Sequence, residues 1–189
     1  MELARLIKER RSVHQFEDRP VDIELVQELL DTAVWVPNHK MTQPWRFVIV
    51  HGEGRKRLAD AASAFAAKRE SNPEKSQELA EKFYNRFTSV PMFIAIVMKE
   101  NTQPVVWEED YASVSCIVQN FSLLAWEQGL GLVWETYPLL HVQAFRDAYG
   151  VGPGEKIVGS LHLGYPGKVS APQPRIPAAE LTTIINQAN

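Results

Sequence analysis

The sequence predicts a single α+β domain over residues 1–189, and three observations carry that prediction. Of the 189 residues 45% are apolar and 23% charged, enough to bury one substantial core and too apolar for a disordered chain. Two short runs, RFVIVH at 46–51 and FIAIVM at 93–98, are rich in β-branched and other apolar residues and are bounded by turn residues, so both read as buried strands. Long stretches of helical composition separate them, and no repeat, low-complexity segment or linker divides the chain. Strands spaced by long helices admit parallel or mixed pairing, so their order is left open.

Residues 2–11 carry Leu3, Leu6 and Ile7 at helical spacing and end in Arg10 and Arg11, cations suited to the negative end of a helix dipole. Asp22 is placed to cap a second helix with the stripe Ile23, Val26, Leu29, Leu30, Ala33 and Val34, and Pro37 turns the chain into the polar loop PNHKMTQPW. Gly52 and Gly54 stop the first strand, residues 54–87 read as two helices broken at Asn72 and Pro73, and Pro91 opens the second strand. Trp107 begins a long helix that stops at Gly129, with Glu108, Glu109 and Asp110 in its first turn, where acids suit the positive end of the dipole. Its Val114, Ile117, Val118, Phe121, Leu123, Leu124, Ala125 and Trp126 cover more than one stripe, which predicts a second packing surface, such as another subunit. A strand near 132–134, a helix at about 139–149 and the strand 156–164 follow. The tail, with prolines at 166, 172, 174 and 177, is extended until about Ala178.

Charge and composition narrow the functional classes. Lys and Arg number 20 against 23 Asp and Glu, a formal charge of −3, so no global positive field draws the chain to nucleic acid or to an anionic membrane. The uncharged stretch from Tyr111 to Trp126 is too short and too polar to span a bilayer. The lone Cys116 forms no internal disulfide and the first thirty residues hold no signal-peptide apolar block, which points to a reducing cytoplasm. Histidines at 14, 39, 51, 141 and 162 have no i, i+4 spacing, so no metal site is expected.

Several candidate motifs have structural explanations. GVGPG at 150–154 follows a helix and precedes a strand, the reverse of the order that presents amides to a pyrophosphate, and reads as a helix stop and turn. HGEGRKR follows a strand and opens a helix but lacks the Lys-Ser/Thr ending of a phosphate loop. Cys116, in an apolar helix without a neighbouring cation, reads as core packing rather than as a nucleophile. RRSVHQF at 10–16 is different, because two guanidinium groups and a hydroxyl at a chain turn are planar and hydroxyl donors that fit a phosphate.

RRSVHQF, then PNHKMTQPWRF about twenty-five residues later, then the strand pair, then GLGLVWET after the long apolar helix together resemble the FMN-dependent nitroreductase family over nearly the whole chain. The resemblance is to its small bacterial members. It implies an α+β sandwich around a mainly antiparallel sheet, an intertwined homodimer, and one FMN in each of two interface clefts. Carried over residue by residue, it puts Arg10, Arg11 and Ser12 at the FMN phosphate and the ribityl or pyrimidine side. Asn38 and His39 fall in the loop that reaches the flavin from the partner subunit, while Gln43, Pro44 and Trp45 fix that loop and the strand after it. Trp134, Glu135 and Thr136 match the segment beside the isoalloxazine, where a main-chain amide is expected near N5. Either Lys168 or Arg175 is the basic tail residue for the phosphate.

Departures from the family pattern are Trp35 in place of a basic residue, Met41 in place of Asn, and His14 where Lys or Arg would stabilise reduced flavin by charge. The implied activity is hydride transfer from NADH or NADPH to FMN and then reduction of a nitroaromatic, quinone or related small acceptor by a ping-pong mechanism. No side chain of the protein is assigned as catalytic. Reduction of enones or dehydrogenation in the same cleft, and FMN binding without turnover, are the alternatives.

Overall fold

The two apolar runs are neighbours in space. In the computed structural model, which describes residues 2–186, β1 (Trp45–His51) lies antiparallel to β2 (Met92–Lys99), with Phe47 opposite Ile96 and Ile49 opposite Ile94. β2 pairs with β4 (Glu155–Gly164) and β4 with β3 (Gly131–Glu135), giving a four-stranded sheet ordered β1-β2-β4-β3 in which every pairing is antiparallel. The mainly antiparallel sheet implied by the family resemblance is therefore found, and no neighbouring strands run parallel.

The connections explain why. α3 (Arg55–Ala67) and α4 (Pro73–Ser89) form a helical hairpin, and an even number of helices returns the chain to the end of the sheet it left, so β2 runs against β1. The single helix α5 (Pro104–Glu127) brings β3 back parallel to β2, but β4 inserts between them.

β2 is buried along Met92–Met98, and its alternate residues serve two cores. Met92, Ile94, Ile96 and Met98 face α2 (Ile23–Ala33) and α5, while Phe93, Ala95 and Val97 face α3, α4 and α6 (Gln143–Ala148). A strand covered on both faces must be apolar at every position, which is why this run carries no alternation.

Three details differ from the sequence expectation. α5 starts at Pro104, a favourable first-turn residue, so Glu108, Glu109 and Asp110 lie in its second turn and not at its positive end. The helix expected at 139–149 is a 3-10 turn (Pro138–His141) followed by the short α6. The tail, as expected, is extended as far as Ala178, where a 3-10 turn (Ala178–Leu181) begins. Cys116 is exposed, because it sits with Ala112 and Gln119 on the side of α5 turned away from the sheet. Of the residues expected to give α5 a second packing surface, Val114, Ile117, Val118, Phe121 and Ala125 are buried and Leu123, Leu124 and Trp126 half-buried. No helix among the described residues is long and apolar enough to cross a membrane.

β3 forms one edge of the sheet, and two glycines shape it. Gly131 leaves room for Val13, whose Cγ2 would lie 2.5 Å from a Cβ at that position. Gly159 on β4 receives the Trp134 indole, with a hypothetical Cβ only 1.9 Å from Nε1. Gly159→Ala is expected to displace the indole and cost about 2–3 kcal/mol. Thermal unfolding should show the midpoint falling by roughly 4–10 °C for a chain of this size; an unchanged midpoint would mean that Trp134 can leave this seat without loss.

Candidate functional site

α1 (Leu3–Glu9) ends just before the arginine pair, and Arg10 leaves it with φ −55° and ψ 135°. The chain then runs beside the outer edge of β3: Ser12 forms a parallel bridge with Leu132, and the Val13 N–H donates to the Leu132 carbonyl at 3.0 Å. Arg11 is pinned back by donating from Nη1 to the carbonyls of Lys8 and Arg10, each at 2.6 Å. Its Nε is buried and has no partner among the described residues. A buried guanidinium donor left unsatisfied costs free energy that an arriving acceptor would recover.

Arg10 is half-buried, and its pKa is lowered by burial, then by the positive charges of Arg11 and Arg175. Of the two basic tail residues considered, Arg175 is therefore the one whose charge is felt at Arg10. Glu9, the acid that precedes the pair, is taken by Arg5 at 2.6 Å. Arg10, which feels the positive charge of two other guanidinium groups, beside Arg11 with its orphaned donor, is an arrangement that an anion with several oxygens would stabilise.

Trp134, Glu135 and Thr136 carry on from Leu132 along the same edge. Backbone groups alternate along a strand, so the N–H and C=O of Trp134 point to the outer side that Leu132 offers to Val13. The Trp134 indole packs inward and donates from Nε1 to the Val158 carbonyl at 3.4 Å. Glu135 turns to the other face, where Arg86 of α4 donates to it at 2.8 Å. Thr136 is exposed.

Asn38 and His39 lie elsewhere in the protomer. Asn38 accepts from the Gln43 N–H at 2.8 Å and donates to Thr42 Oγ1 at 2.9 Å, while His39 Nδ1 lies 3.1 Å from Glu109. Thr42 donates to the buried Asp110 at 2.5 Å, and Ser113 donates to the Pro37 carbonyl. These bonds hold a loop in which Lys40, Met41 and Gln43 have φ of 54°, 51° and 42°, left-handed values unusual outside glycine. Trp35 and Met41 are exposed beside the loop and line an open cleft of about 570 Å³ with Val34, Pro37 and Trp45.

The arginine pair and this loop thus meet α5 in different places. α1 meets α5 around Asn120 and Leu124, whereas the loop meets it at Glu109 and Ser113. Eleven residues of helix between Ser113 and Leu124 span roughly 16 Å.

Some buried polar groups were not legible as a set. The Tyr137 hydroxyl lies 3.2 Å from His162 Nε2, and the Tyr149 hydroxyl 2.6 Å from Ser160 Oγ, all within the aromatic core beneath β3. Burial, with smaller effects of Arg86 and His14, lowers the His162 pKa to about 3, and burial raises those of Tyr137 and Tyr149. His162 sits in a strand with the apolar Leu161 and Leu163, and only its place on the inward face would have marked it.

The fold is thus a helix-flanked antiparallel sheet, with the adjacent Arg10 and Arg11 where the chain joins the outer edge of β3. The Nitroreductase family model matches residues 7–165. A solved structure described as the nitroreductase-like family protein from Bacillus cereus shares 39% identity and a TM-score of 0.87, covering 98% of this chain and 96% of its own. The Bacillus subtilis (strain 168) protein named "Putative NAD(P)H nitroreductase YfhC" is 33% identical over 179 residues, 94% of this chain and 91% of that protein. The fold also matches a solved structure described as the FMN and NADPH-dependent nitroreductase NfnB from sphigopyxis sp. strain HMH, at a TM-score of 0.79 and 19% identity, covering 98% of this chain and 100% of that one. The chain belongs to the nitroreductase family.

Proposed function

We propose that the protein is an FMN-dependent oxidoreductase that takes a hydride from NADH or NADPH and passes the electrons to a nitroaromatic, quinone or related small acceptor. The observation that carries this reading is the adjacent pair Arg10 and Arg11, with the orphaned Arg11 Nε, where the chain joins the outer edge of β3 at Leu132. The names of the relatives, an NAD(P)H nitroreductase and an FMN and NADPH-dependent nitroreductase, point the same way. In this reading Arg10 and Arg11 hold the FMN phosphate, with Arg175 in support, and Ser12 holds the adjoining polar part. The outward backbone at Trp134–Thr136 lies along the ring. When bound, FMN supplies hydride acceptance at N5 and release of two electrons to an acceptor that enters the same space. The chain's part is to grip the anionic end, orient the ring and keep water from one of its faces.

The protein works as a cytoplasmic homodimer, one FMN-binding unit per chain over residues 1–189, with a flavin in each of two clefts. Asn38 and His39 are the partner's contribution, which the separation of the two half-sites within one protomer supports. The exposed tail side chains Ile176, Leu181, Ile184 and Ile185 need a covering surface, and the outer edge of β1 has no strand beside it. Sedimentation is expected to give a dimer, and a monomer that still binds FMN would contradict the shared cleft.

The decisive experiment is to isolate the protein, release and identify its chromophore, and mix the holoprotein anaerobically with NADH or NADPH. Rapid bleaching and recovery of colour on adding a nitroaromatic or quinone are expected, with parallel double-reciprocal lines. Absence of bleaching would leave an FMN carrier, and intersecting lines would overturn the shared substrate space.

A further inference from the structure

A second site lies on the opposite face of β3 from α5. Where the residues after α3 meet the C-terminal half of α4 and the turn after β3, Phe65, Phe83, Phe87 and Tyr137 enclose a niche of about 100 Å³. For scale, an apolar cavity of about 150 Å³ takes up a benzene molecule. The niche has about two-thirds of that volume, so a single ring enters it only in part, and its walls are aromatic faces and edges against which a ring packs favourably.

Its rim is cationic. Arg69 and Arg86 both line it, both are exposed, and no acid does. Arg86 is already bonded to Glu135, whereas Arg69 lies over the Phe65 ring at 5.6 Å and has no carboxylate partner among the described residues. One positive charge is thus left over, beside an apolar niche walled by aromatic rings.

We propose that this niche binds a small aromatic monoanion of the benzoate type, its ring between Phe65, Phe83 and Tyr137 and its carboxylate on Arg69, with Arg86 alongside. The assignment does not depend on the flavin reading, since none of its residues belongs to the arginine cluster or to the 38–39 loop. It does touch that site indirectly: Tyr137 follows Thr136 in the chain, and Arg86 holds Glu135, so an occupant presses on the segment leaving the edge of β3.

The test is direct binding of 4-fluorobenzoate, observed by its own fluorine resonance, to the protein as isolated and saturated with FMN. The neutral 4-fluorobenzyl alcohol serves as the comparison. The wild type is expected to bind the acid at least tenfold more tightly than the alcohol, as a charge-assisted contact implies. Arg69→Gln should weaken the acid about tenfold while leaving the alcohol, the flavin content and the thermal midpoint unchanged. Phe83→Ala should weaken both ligands. Equal affinity of acid and alcohol, undetectable binding of the acid, or acid binding that survives Arg69→Gln intact would each overturn the proposal. None of these outcomes bears on whether nicotinamide bleaches the flavin, so the two readings fail separately.

Discussion

Replacing Arg10 and Arg11 together by alanine is expected to strip FMN from the protein while leaving the chain folded. A charge-assisted hydrogen bond to a phosphate contributes about 1.5–3 kcal/mol, so each single variant should weaken FMN tenfold to a hundredfold. The two side chains are neighbours and act on one group, so the pair should lose less than the product of the single effects. The fold has little to lose, because Arg11 makes only short-range bonds to Lys8 and Arg10, and both cations are relieved of mutual repulsion. Arg175→Ala should act in the same direction and more weakly, since the tail residue reaches the cluster mainly through its charge. Titration of apoprotein with FMN, followed by quenching of flavin fluorescence, measures all three. Unchanged affinity in both single variants would remove the phosphate from this site.

Acid should destabilise the protein earlier than carboxylate protonation alone would allow, and His162 is the reason. Its pKa is about 3 in the folded protein against an ordinary 6.5, because protonation would place a charge among Phe87, Phe93 and Tyr137. Above pH 6.5 the group is neutral in both states and its contribution is complete. As pH falls from 6.5 the unfolded chain takes up the proton first, so stability declines until the folded histidine protonates near 3, a loss on the order of 5 kcal/mol. Glu155 adds to this lower down: its bonds from Arg46 hold its pKa to about 2, so its stabilisation is lost as pH falls from 4.5 towards 2. Between pH 6 and 5, therefore, the histidine slope is separable. Urea unfolding across that interval should show a decline approaching 1.4 kcal/mol per pH unit in the wild type. His162→Gln, whatever its own cost, should flatten that slope by the same amount; a variant with the parent's slope would show that His162 is protonated before the protein unfolds.

What could be read from the sequence follows the range of the interactions involved. β2 was legible as a strand covered on both faces because burial writes itself into every residue from Met92 to Met98. The order of the strands was not, since it depends on β4 inserting between β2 and β3, a pairing between residues some sixty positions apart. Arg10 and Arg11 announced themselves as adjacent cations at a helix end. Arg175 could not be preferred to Lys168, because only the folded tail brings one of them to Arg10. For Glu108, Glu109 and Asp110 the dipole account was wrong by one turn. Pro104 starts the helix sooner, and Glu109 and Asp110 bind the loop of His39 and Thr42 instead. Nothing local marked the left-handed Lys40, Met41 and Gln43, which carry no glycine signal and owe their conformation to the Asn38 and Asp110 contacts. Cys116 looked like a core residue because its helix is apolar all round; its side of that helix faces outward.

The length of α5 between its two docking regions also has a genetic consequence. In the proposed dimer, where one protomer keeps its cations at one end of that helix and its loop at the other, a cleft would draw each half from a different chain. A variant crippled only at Arg10 and Arg11 and another crippled only at Asn38 and His39 should each be inactive alone. Coexpressed, they should recover activity by complementation, each mixed dimer carrying one wholly intact cleft and one damaged on both sides.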